Sequence, residues 1–403
     1  MGKLWRPPRG VKRGRMRRPR FRRMAPTIHA CYAITPPGIE GLTAGELSAL
    51  GIAPATIEPG GVGFDATARQ LYRANLELRT AGRVIVRIAE FPARAFYELE
   101  RKAERVPWGE FVTPGTPVRF RVTSRKSKLY HLDGIAERLH TCVNGERSPG
   151  HETRRPGEET EEDTESGEQL FVVRVIRDIV TISADSSGVL LNRRGYRLAG
   201  AKAPLRESLA AAVLLGAGYR EGMPLVDPFC GSGTIPIEAA LIGRGIAPGL
   251  RRRFAFERWP GFESAVWQEL RSDATARIRA SVGAPVCGSD RDAGAIVAAR
   301  ANAERAGVAE DVTLREAAVS SVTPPSGPGL IATNPPYGIR IGEEKELRNL
   351  FARFGSLVRE RWPGWTIAMI AAGPMPEREM RVPFETRWES TTGGIRIRLL
   401  VST

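Results

Sequence analysis

Leu225-Val226-Asp227-Pro228-Phe229-Cys230-Gly231-Ser232-Gly233-Thr234 is the stretch on which the reading of this chain turns. Apolar residues end on an aspartate, a glycine-rich turn follows, and residues 235–242 continue with helical spacing. Pro236 is tolerated there as part of a first helical turn. The pattern is strand, tight loop, helix. Glycines at 231 and 233 let backbone approach a ligand closely, and the amide-rich start of the helix favours a carboxylate. A dinucleotide turn would carry a third glycine three residues after Gly233, where Pro236 stands, and an acid about 20 residues on, whereas Asp290 comes far later. A phosphate loop would need Gly-Lys-Ser or Gly-Lys-Thr, which is absent.

Downstream of this stretch, residues 286–288 form a strand ending near Asp290. The helix after it places Ala293, Ile296, Val297 and Ala301 on one face. Residues 330–333 read as a buried strand, 365–371 as another. The chain closes with a hairpin, 386–391 and 395–401, about Gly393-Gly394. Strands alternating with helices predict a mostly parallel sheet that binds ligands at the strands' carboxyl ends. Between Gly243 and Ser281 lies a helical, arginine-rich insertion with Arg251-Arg252-Arg253, Trp259 and Trp267.

Upstream the texture is a smaller α+β pattern. Residues 29–35 read as a strand, 38–50 as a helix carrying Ile39, Leu42, Leu47 and Leu50, and 84–89 as a strand. A strand over 118–122 leads into the basic turn Ser124-Arg125-Lys126-Ser127-Lys128-Leu129-Tyr130-His131. A helix with Ile135, Leu139, Cys142 and Val143 on one stripe follows, then a hairpin of 170–176 and 178–184.

The 403 residues hold 60 Lys+Arg against 45 Asp+Glu, a formal charge of +15, with 42% hydrophobic residues. That length predicts two to three domains with real cores. No apolar run is long enough to span a membrane. Four well-separated cysteines and four scattered histidines argue against a disulfide scaffold or a metal site and for a reducing, cytoplasmic setting. Eleven basic residues fall within the first 23, and the first acid is Glu40. Prolines and like-charge repulsion there predict a disordered arm suited to phosphates, or else a stretch upstream of a true start at Met24. Eight carboxylates between Glu152 and Glu168 read as a solvated acidic loop.

The second chemistry-bearing segment is Thr333-Asn334-Pro335-Pro336-Tyr337-Gly338, directly after a strand. Two prolines stiffen the backbone and remove donors, so the acceptors of this stretch are its carbonyls and the Asn334 side-chain oxygen. Tyr337 offers a flat face for stacking. This arrangement suits a planar ring bearing an exocyclic amine.

Together the two segments resemble the class I S-adenosylmethionine-dependent methyltransferases that act on amines. Residues 124–131 with the following helix resemble a THUMP RNA-binding domain. Arg193-Arg194-Gly195-Tyr196-Arg197 and Ala203-Pro204-Leu205-Arg206-Glu207 resemble that family's linker. Ile246-Ala247-Pro248-Gly249 and Phe254-Ala255-Phe256-Glu257 resemble the branch that makes N2-methylguanine in large-subunit ribosomal RNA. The likeness spans roughly residues 28–401.

The resemblance implies an α/β chain: a C-terminal Rossmann-like methyltransferase domain over 205–403, with a mostly parallel seven-stranded sheet ending in a hairpin. Before it come a basic disordered arm (1–27), a ferredoxin-like α+β domain (28–100), a THUMP domain (101–190) containing the acidic loop 152–168, and a linker (191–204). It implies S-adenosylmethionine as cofactor, with Asp227, Gly231 and Gly233 lining its methionine part and Asp290 accepting from the ribose hydroxyls. Thr234 caps the helix or touches the cofactor, and Pro204 and Leu205 approach it from the linker. Asn334, Pro335, Pro336 and Tyr337 would hold and orient the target base. Arg125, Lys126, Lys128 and Tyr130 are candidate contacts to structured RNA. No metal, no membrane and a monomer are expected. The family places an aspartate near Ala318 for the adenine amine; Glu316-Ala317-Ala318-Val319 has none, leaving Glu316 or backbone for that task. The expected reaction is methylation of guanine N2 in 23S rRNA. Three alternatives stay open: the same chemistry on tRNA, adenine-N6 methylation of DNA, and an inactive RNA-binding assembly factor.

Overall fold

The computed structural model describes residues 27–144, 167–197, 205–336 and 344–403, arranged around two seven-stranded sheets. The basic arm, most of the acidic loop, and the segments holding Pro204 and Tyr337 lie outside the described residues. In the first half β1 (His29–Ile34), α1 (Glu40–Ala49), β2 (Pro54–Glu58), β3 (Gly61–Ala66), α2 (Ala68–Glu77) and β4 (Arg83–Pro92) run as a βαββαβ unit with the antiparallel order β2-β3-β1-β4. After α3 (Phe96–Ala103) come β5 (Val118–Arg125), α4 (Leu132–Asn144), β6 (Gln169–Ile176) and β7 (Ile179–Asp185). β7 pairs with β4 from Ile85↔Asp185 to Pro92↔Ile179, so both N-terminal units contribute to one continuous sheet, β2-β3-β1-β4-β7-β6-β5.

The sequence reading had no β2 or β3. β2 is polar and largely exposed, and β3 carries two glycines, so neither shows the alternation that marks a half-buried strand. α2 did carry a local signal: Thr67 accepts from the Gln70 amide while the Gln70 side chain accepts from the Thr67 amide, a closed capping box.

The second half contains α5 (Glu207–Gly216), β8 (Leu225–Asp227), α6 (Thr234–Gly243), α7 (Ser264–Ala276), β9 (Val286–Asp290), α8 (Ala293–Ala306), β10 (Val312–Glu316), β11 (Leu330–Thr333), α9 (Glu344–Arg361), β12 (Thr366–Ala371), α10 (Met375–Met380), β13 (Phe384–Thr392) and β14 (Ile395–Ser402). The sheet order is β10-β9-β8-β11-β12-β14-β13, five parallel strands closed by an antiparallel hairpin, the expected architecture. β8 and β11 are short and wholly buried, because helices cover both faces of a parallel sheet. The chain leaves β8 toward β9 and β10 on one side and returns to β11 and β12 on the other. That reversal opens a crevice at the carboxyl ends of β8 and β11. α8 corrects one expectation: its inward face is Ile296, Ala299, Ala303 and Ala306, while Val297 is 66% exposed. No described helix is long and apolar enough to cross a membrane.

The two halves share hydrophobic cores. α1 straddles the boundary: Ala44 and Leu47 belong to the N-terminal core, whereas Ile39, just before the helix, packs into the C-terminal one. The Gly243–Ser281 insertion is folded into the N-terminal core. Phe256 stacks on Tyr72 of α2 with centroids 4.3 Å apart, and Phe254 and Trp267 pack around it. The Trp259 indole donates to Gln169 Oε1 at 2.8 Å, and Arg69 and Arg277 form exposed ion pairs with Glu269 and Glu77. Its arginine run, expected as a basic feature, keeps Arg251 and Arg253 exposed while Arg252 is half-buried. Arg252 donates to the carbonyls of Leu190 and Val189, and Arg251 donates to that of Arg305. Burial lowers the Arg252 pKa to about 9, which leaves it charged at neutral pH.

Because Phe256 is fully buried between two aromatic neighbours, Phe256→Ala should cost about 3–5 kcal/mol. Denaturant unfolding checks this. The loss should come with earlier protease cleavage within residues 243–281 than in the parent chain.

Candidate functional site

Three parallel strand tips build the site. β8 ends on Asp227, β9 on Asp290, and β11 on Thr333, immediately before Asn334. Asp227 is buried, and its Oδ1 accepts from the Thr333 hydroxyl at 2.6 Å and from the Phe229 amide at 3.1 Å. The hydroxyl bond ties the glycine loop after β8 to the Asn-Pro-Pro turn after β11. Burial pushes the Asp227 carboxyl up to about 7, and the nearby Asp290 charge adds to the rise, while the bonds from Thr333 and Phe229 oppose it.

Asp290 is half-buried and organises the other wall. Its Oδ2 accepts from the Gly231 amide at 2.9 Å and its Oδ1 from the Asp292 amide at 3.0 Å. Gly231 has φ +50° and open space where a side chain would stand; Gly233 has φ +83°, and a β-carbon there would meet Ala299 Cβ at 3.0 Å. The first glycine thus leaves room for a ligand and the second lets the loop pack on α8. Cys230 lies within the same turn, but burial drives its thiol upward and keeps it protonated, so it is no nucleophile. Asn334 is half-buried, Pro335 buried and Pro336 exposed, so the turn rises from the core to the surface at the crevice. Where an aspartate near Ala318 was missed, Glu316 ends β10 in register with Asp290, and the Ala317 amide donates to the Asp290 carbonyl at 2.9 Å. Glu316 is exposed at that strand end.

The linker reaches this loop directly. Arg197 donates to Thr234 Oγ1 at 2.8 Å and to the Leu205 carbonyl at 2.6 Å. Thr234 is therefore not the cap: Gly233 holds that position, and Thr234 opens α6 with its hydroxyl accepting from the linker. Arg305 donates to the Tyr196 carbonyl and to Asn302 Oδ1, and Asn302 Nδ2 donates to the Ser232 carbonyl at 2.9 Å. Leu205 lies against the C-terminal core just before α5. The contacts of Arg197, Asn302 and Arg305 escaped sequence reasoning, since an arginine in a linker or a polar residue on an unremarkable helix gives no sign of the carbonyl it will meet.

The expected RNA contacts occupy the tip of the N-terminal sheet. Arg125, Lys126, Lys128 and Tyr130 are all exposed. Ser124 Oγ donates to the Leu129 carbonyl at 2.6 Å and the Lys128 amide donates to Asp178 Oδ1 at 2.8 Å, which fixes the loop. The Tyr130 and His131 rings lie 4.5 Å apart. No group of His, Cys, Asp and Glu among the described residues is arranged to hold a metal ion. A cavity of about 880 Å³ lies elsewhere, between His29, Tyr72, Phe111 and Trp259, away from the strand tips.

Comparison with known proteins gives the family and the fold. Residues 194–392 match a family model described as the RMKL-like methyltransferase domain, and residues 30–85 match the RlmL ferredoxin-like domain. A provisionally assigned RNA methyltransferase of Synechocystis sp. is 31% identical over 93% of this chain and 96% of its own length. The ribosomal RNA large subunit methyltransferases K/L of Syntrophotalea carbinolica and Chromohalobacter salexigens are 37% and 34% identical over 92% of this chain, which spans about half of their length. A provisionally assigned methyltransferase solved with S-adenosylhomocysteine superposes with TM-score 0.82 at 28% identity, covering 94% of this chain and 98% of that one. A Listeria monocytogenes protein described as a predicted N6-adenine-specific DNA methylase gives 0.80 at 29%, covering 93% and 96%.

Removing the Thr333 hydroxyl in Thr333→Val should cost about 1–3 kcal/mol at pH 8.5, where Asp227 is ionised and loses a buried partner. The cost should shrink at pH 5.5, where the carboxyl is protonated. Unfolding curves at the two pH values check the sign.

Proposed function

This chain belongs to the RMKL-like methyltransferase family, and on that premise we propose that it transfers a methyl group from S-adenosylmethionine to the exocyclic N2 amine of a guanine in large-subunit ribosomal RNA. The observation that carries the reading is the Asp227–Thr333 bond, which brings the glycine loop and the Asn-Pro-Pro turn to one crevice. Donor and acceptor sites are then neighbours, as direct transfer requires.

S-adenosylmethionine supplies an electrophilic methyl group on a positively charged sulfur. The residues at the strand tips fit it. Asp290 has two carboxylate oxygens at the mouth of the crevice to accept from ribose hydroxyls. Gly231 leaves room at the backbone for the methionine part and Gly233 seats the loop that carries it on α8, with Asp227 beneath them as the acidic group. Leu205 closes the side toward the linker, with Pro204 preceding it, and Thr234 steadies the loop through Arg197. The amide of Ala317 is spent on Asp290, so Glu316 is the side chain at hand for the adenine amine.

On the acceptor side, a guanine N2 lone pair is delocalised into the ring and weakly nucleophilic. The Asn334 side-chain oxygen and a carbonyl of the Pro335–Pro336 stretch accept its two hydrogens. That localises the lone pair for direct displacement: the N2–methyl bond would form as the methyl–sulfur bond breaks, the sulfur would leave as a neutral thioether, and N2 would give up one proton to water. Tyr337 holds the extruded base by stacking. Arg125, Lys126, Lys128 and Tyr130 bind the RNA outside the crevice, and the relatives named for large-subunit rRNA favour that substrate.

Asn334→Ala should lower kcat on the order of a hundredfold while leaving S-adenosylmethionine affinity within about twofold. Methyl transfer to deproteinised 23S RNA and to tRNA, followed by mass analysis of the nucleosides, reads activity, substrate and position together. Methylated adenine in place of N2-methylguanine, or transfer to tRNA alone, would overturn the assignment. A second expectation concerns pH. The carboxylate form of Asp227 suits the cationic donor, so its affinity should weaken as pH falls below about 7. Calorimetry should show that dependence flattened in Asp227→Asn.

A further inference from the structure

Helix α6, which follows the glycine loop, reads Thr-Ile-Pro-Ile-Glu-Ala-Ala-Leu-Ile-Gly, and Thr234 and Glu238 are its only polar side chains. Four residues apart, they share one face of the helix. Both meet the linker. Thr234 Oγ1 accepts from Arg197, as described above, while Glu238 Oε1 accepts from the Tyr196 hydroxyl at 3.1 Å and lies 3.6 Å from Arg194 Nε. Arg194 and Tyr196 are buried, and Glu238 is 0% exposed. Burial first, and then the Glu238 charge, raise the Tyr196 hydroxyl well above its usual pKa, so it keeps its proton and donates.

The same clasp is anchored in the N-terminal half. Arg194 donates through Nη2 to the Arg79 carbonyl at 2.6 Å and through Nη1 to the Leu191 carbonyl. Arg79, between α2 and β4, donates through Nη2 to the Ile246 carbonyl at 2.6 Å, just past the end of α6, and its amide donates to Glu46 of α1 at 2.8 Å. The helix is therefore caught at its start, at its middle and beyond its end by groups from the linker and the N-terminal half. Stability gives little reason for such a device. Among the described residues Glu238 Oε2 and Arg194 Nε are buried without a hydrogen-bond partner, and a buried ion pair is often no better than apolar residues of the same volume. Direction does give a reason. The other side chains of α6 are apolar, and apolar burial has no preferred direction, so packing alone fixes the helix poorly along its axis. Hydrogen bonds to groups held elsewhere are directional. Gly233 caps this helix and Gly231 stands two residues before it, so a shift of α6 would carry the glycine loop with it.

We propose that Glu238 is a positioning residue for the methyl donor: clasped by Tyr196 and Arg194, it sets α6 along its axis and so sets the glycine loop against the methionine part of S-adenosylmethionine. The proposal rests on the donor reading given above and deepens it, because it makes the linker and the N-terminal half part of what shapes the donor site. Glu238 acts through the helix and not on the donor itself. Releasing the clasp therefore loosens donor binding and leaves the transfer step, once the donor is bound, nearly intact.

The test uses the full chain and two variants. Tyr196→Phe removes the hydroxyl and keeps the ring and every charge; Glu238→Gln removes the charge and keeps an acceptor for Tyr196. Each should weaken S-adenosylmethionine binding, read by calorimetry, about fivefold or more. Their KM for the donor should rise in step, while kcat on 23S RNA at saturating donor stays within about twofold. Hydrogen exchange of the donor-free chain supplies a readout that lost stability alone would not move: faster exchange in the peptide spanning residues 228–236, with β12 unchanged. Should Glu238→Gln fail to fold because Arg194 loses its buried counter-charge, Tyr196→Phe decides the matter. If Tyr196→Phe binds the donor as the parent does, or lowers kcat with KM unchanged, or only lowers the melting temperature, the proposal falls while the donor reading stands. A parent chain that does not bind S-adenosylmethionine would overturn the donor reading itself, and this role of Glu238 with it.

Discussion

A buried aspartate bonded to a threonine hydroxyl from the neighbouring strand holds the catalytic half in its working form. Asp227 and Thr333 end adjacent parallel strands, and each is followed at once by a loop of special composition, glycine-rich on one side and proline-rich on the other. Without that 2.6 Å contact the two loops would be independent excursions from the sheet. With it, the position of Asn334 is defined relative to Gly231. The arrangement carries an electrostatic cost, since the carboxyl has lost its water and feels Asp290 nearby. A strained local charge at a functional crevice is a common compromise, because the same low polarity that raises its pKa strengthens its interaction with a cationic ligand.

The wider structure supports this pair through polar contacts that end on backbone carbonyls. Arg197, Asn302 and Arg305 reach Leu205, Ser232 and Tyr196, so the linker, α8 and the glycine loop form one connected frame. The two arginine bonds are charge-assisted, which makes them stronger than neutral ones. They also connect the half proposed to bind RNA to the half proposed to bind the methyl donor through a short chain of contacts.

Much of this was legible in the sequence, for identifiable reasons. Strands β8, β9 and β11 and the loops after them stood out because buried parallel strands are short apolar runs ending in turn residues. The closing hairpin announced itself through Gly393-Gly394. β2 and β3 were not legible, since polarity and glycines hid their period. The inward face of α8 was misjudged because alanines on two sides of a helix give no amphipathic contrast; Val297 faces solvent and Ala303 the core. The insertion was read from its arginines, yet its aromatic residues decide its place, and periodicity cannot say which partner an aromatic cluster will find. The contacts that fix Arg197 and Asp178 arise between residues far apart in the chain, beyond the reach of any local pattern.

Helix α1 sends Leu47 into one core while Ile39 at its start enters the other, and the aromatic insertion crosses the same boundary in the opposite direction. Each half thus lends a piece of itself to its neighbour's interior. Chimeras built by exchanging front halves among related enzymes would leave Tyr72 facing a foreign insertion and Phe256 facing a foreign helix. Such exchanges should succeed only where residues 247–274 travel with the front half, so the functional seam of this protein does not coincide with any single cut in its chain.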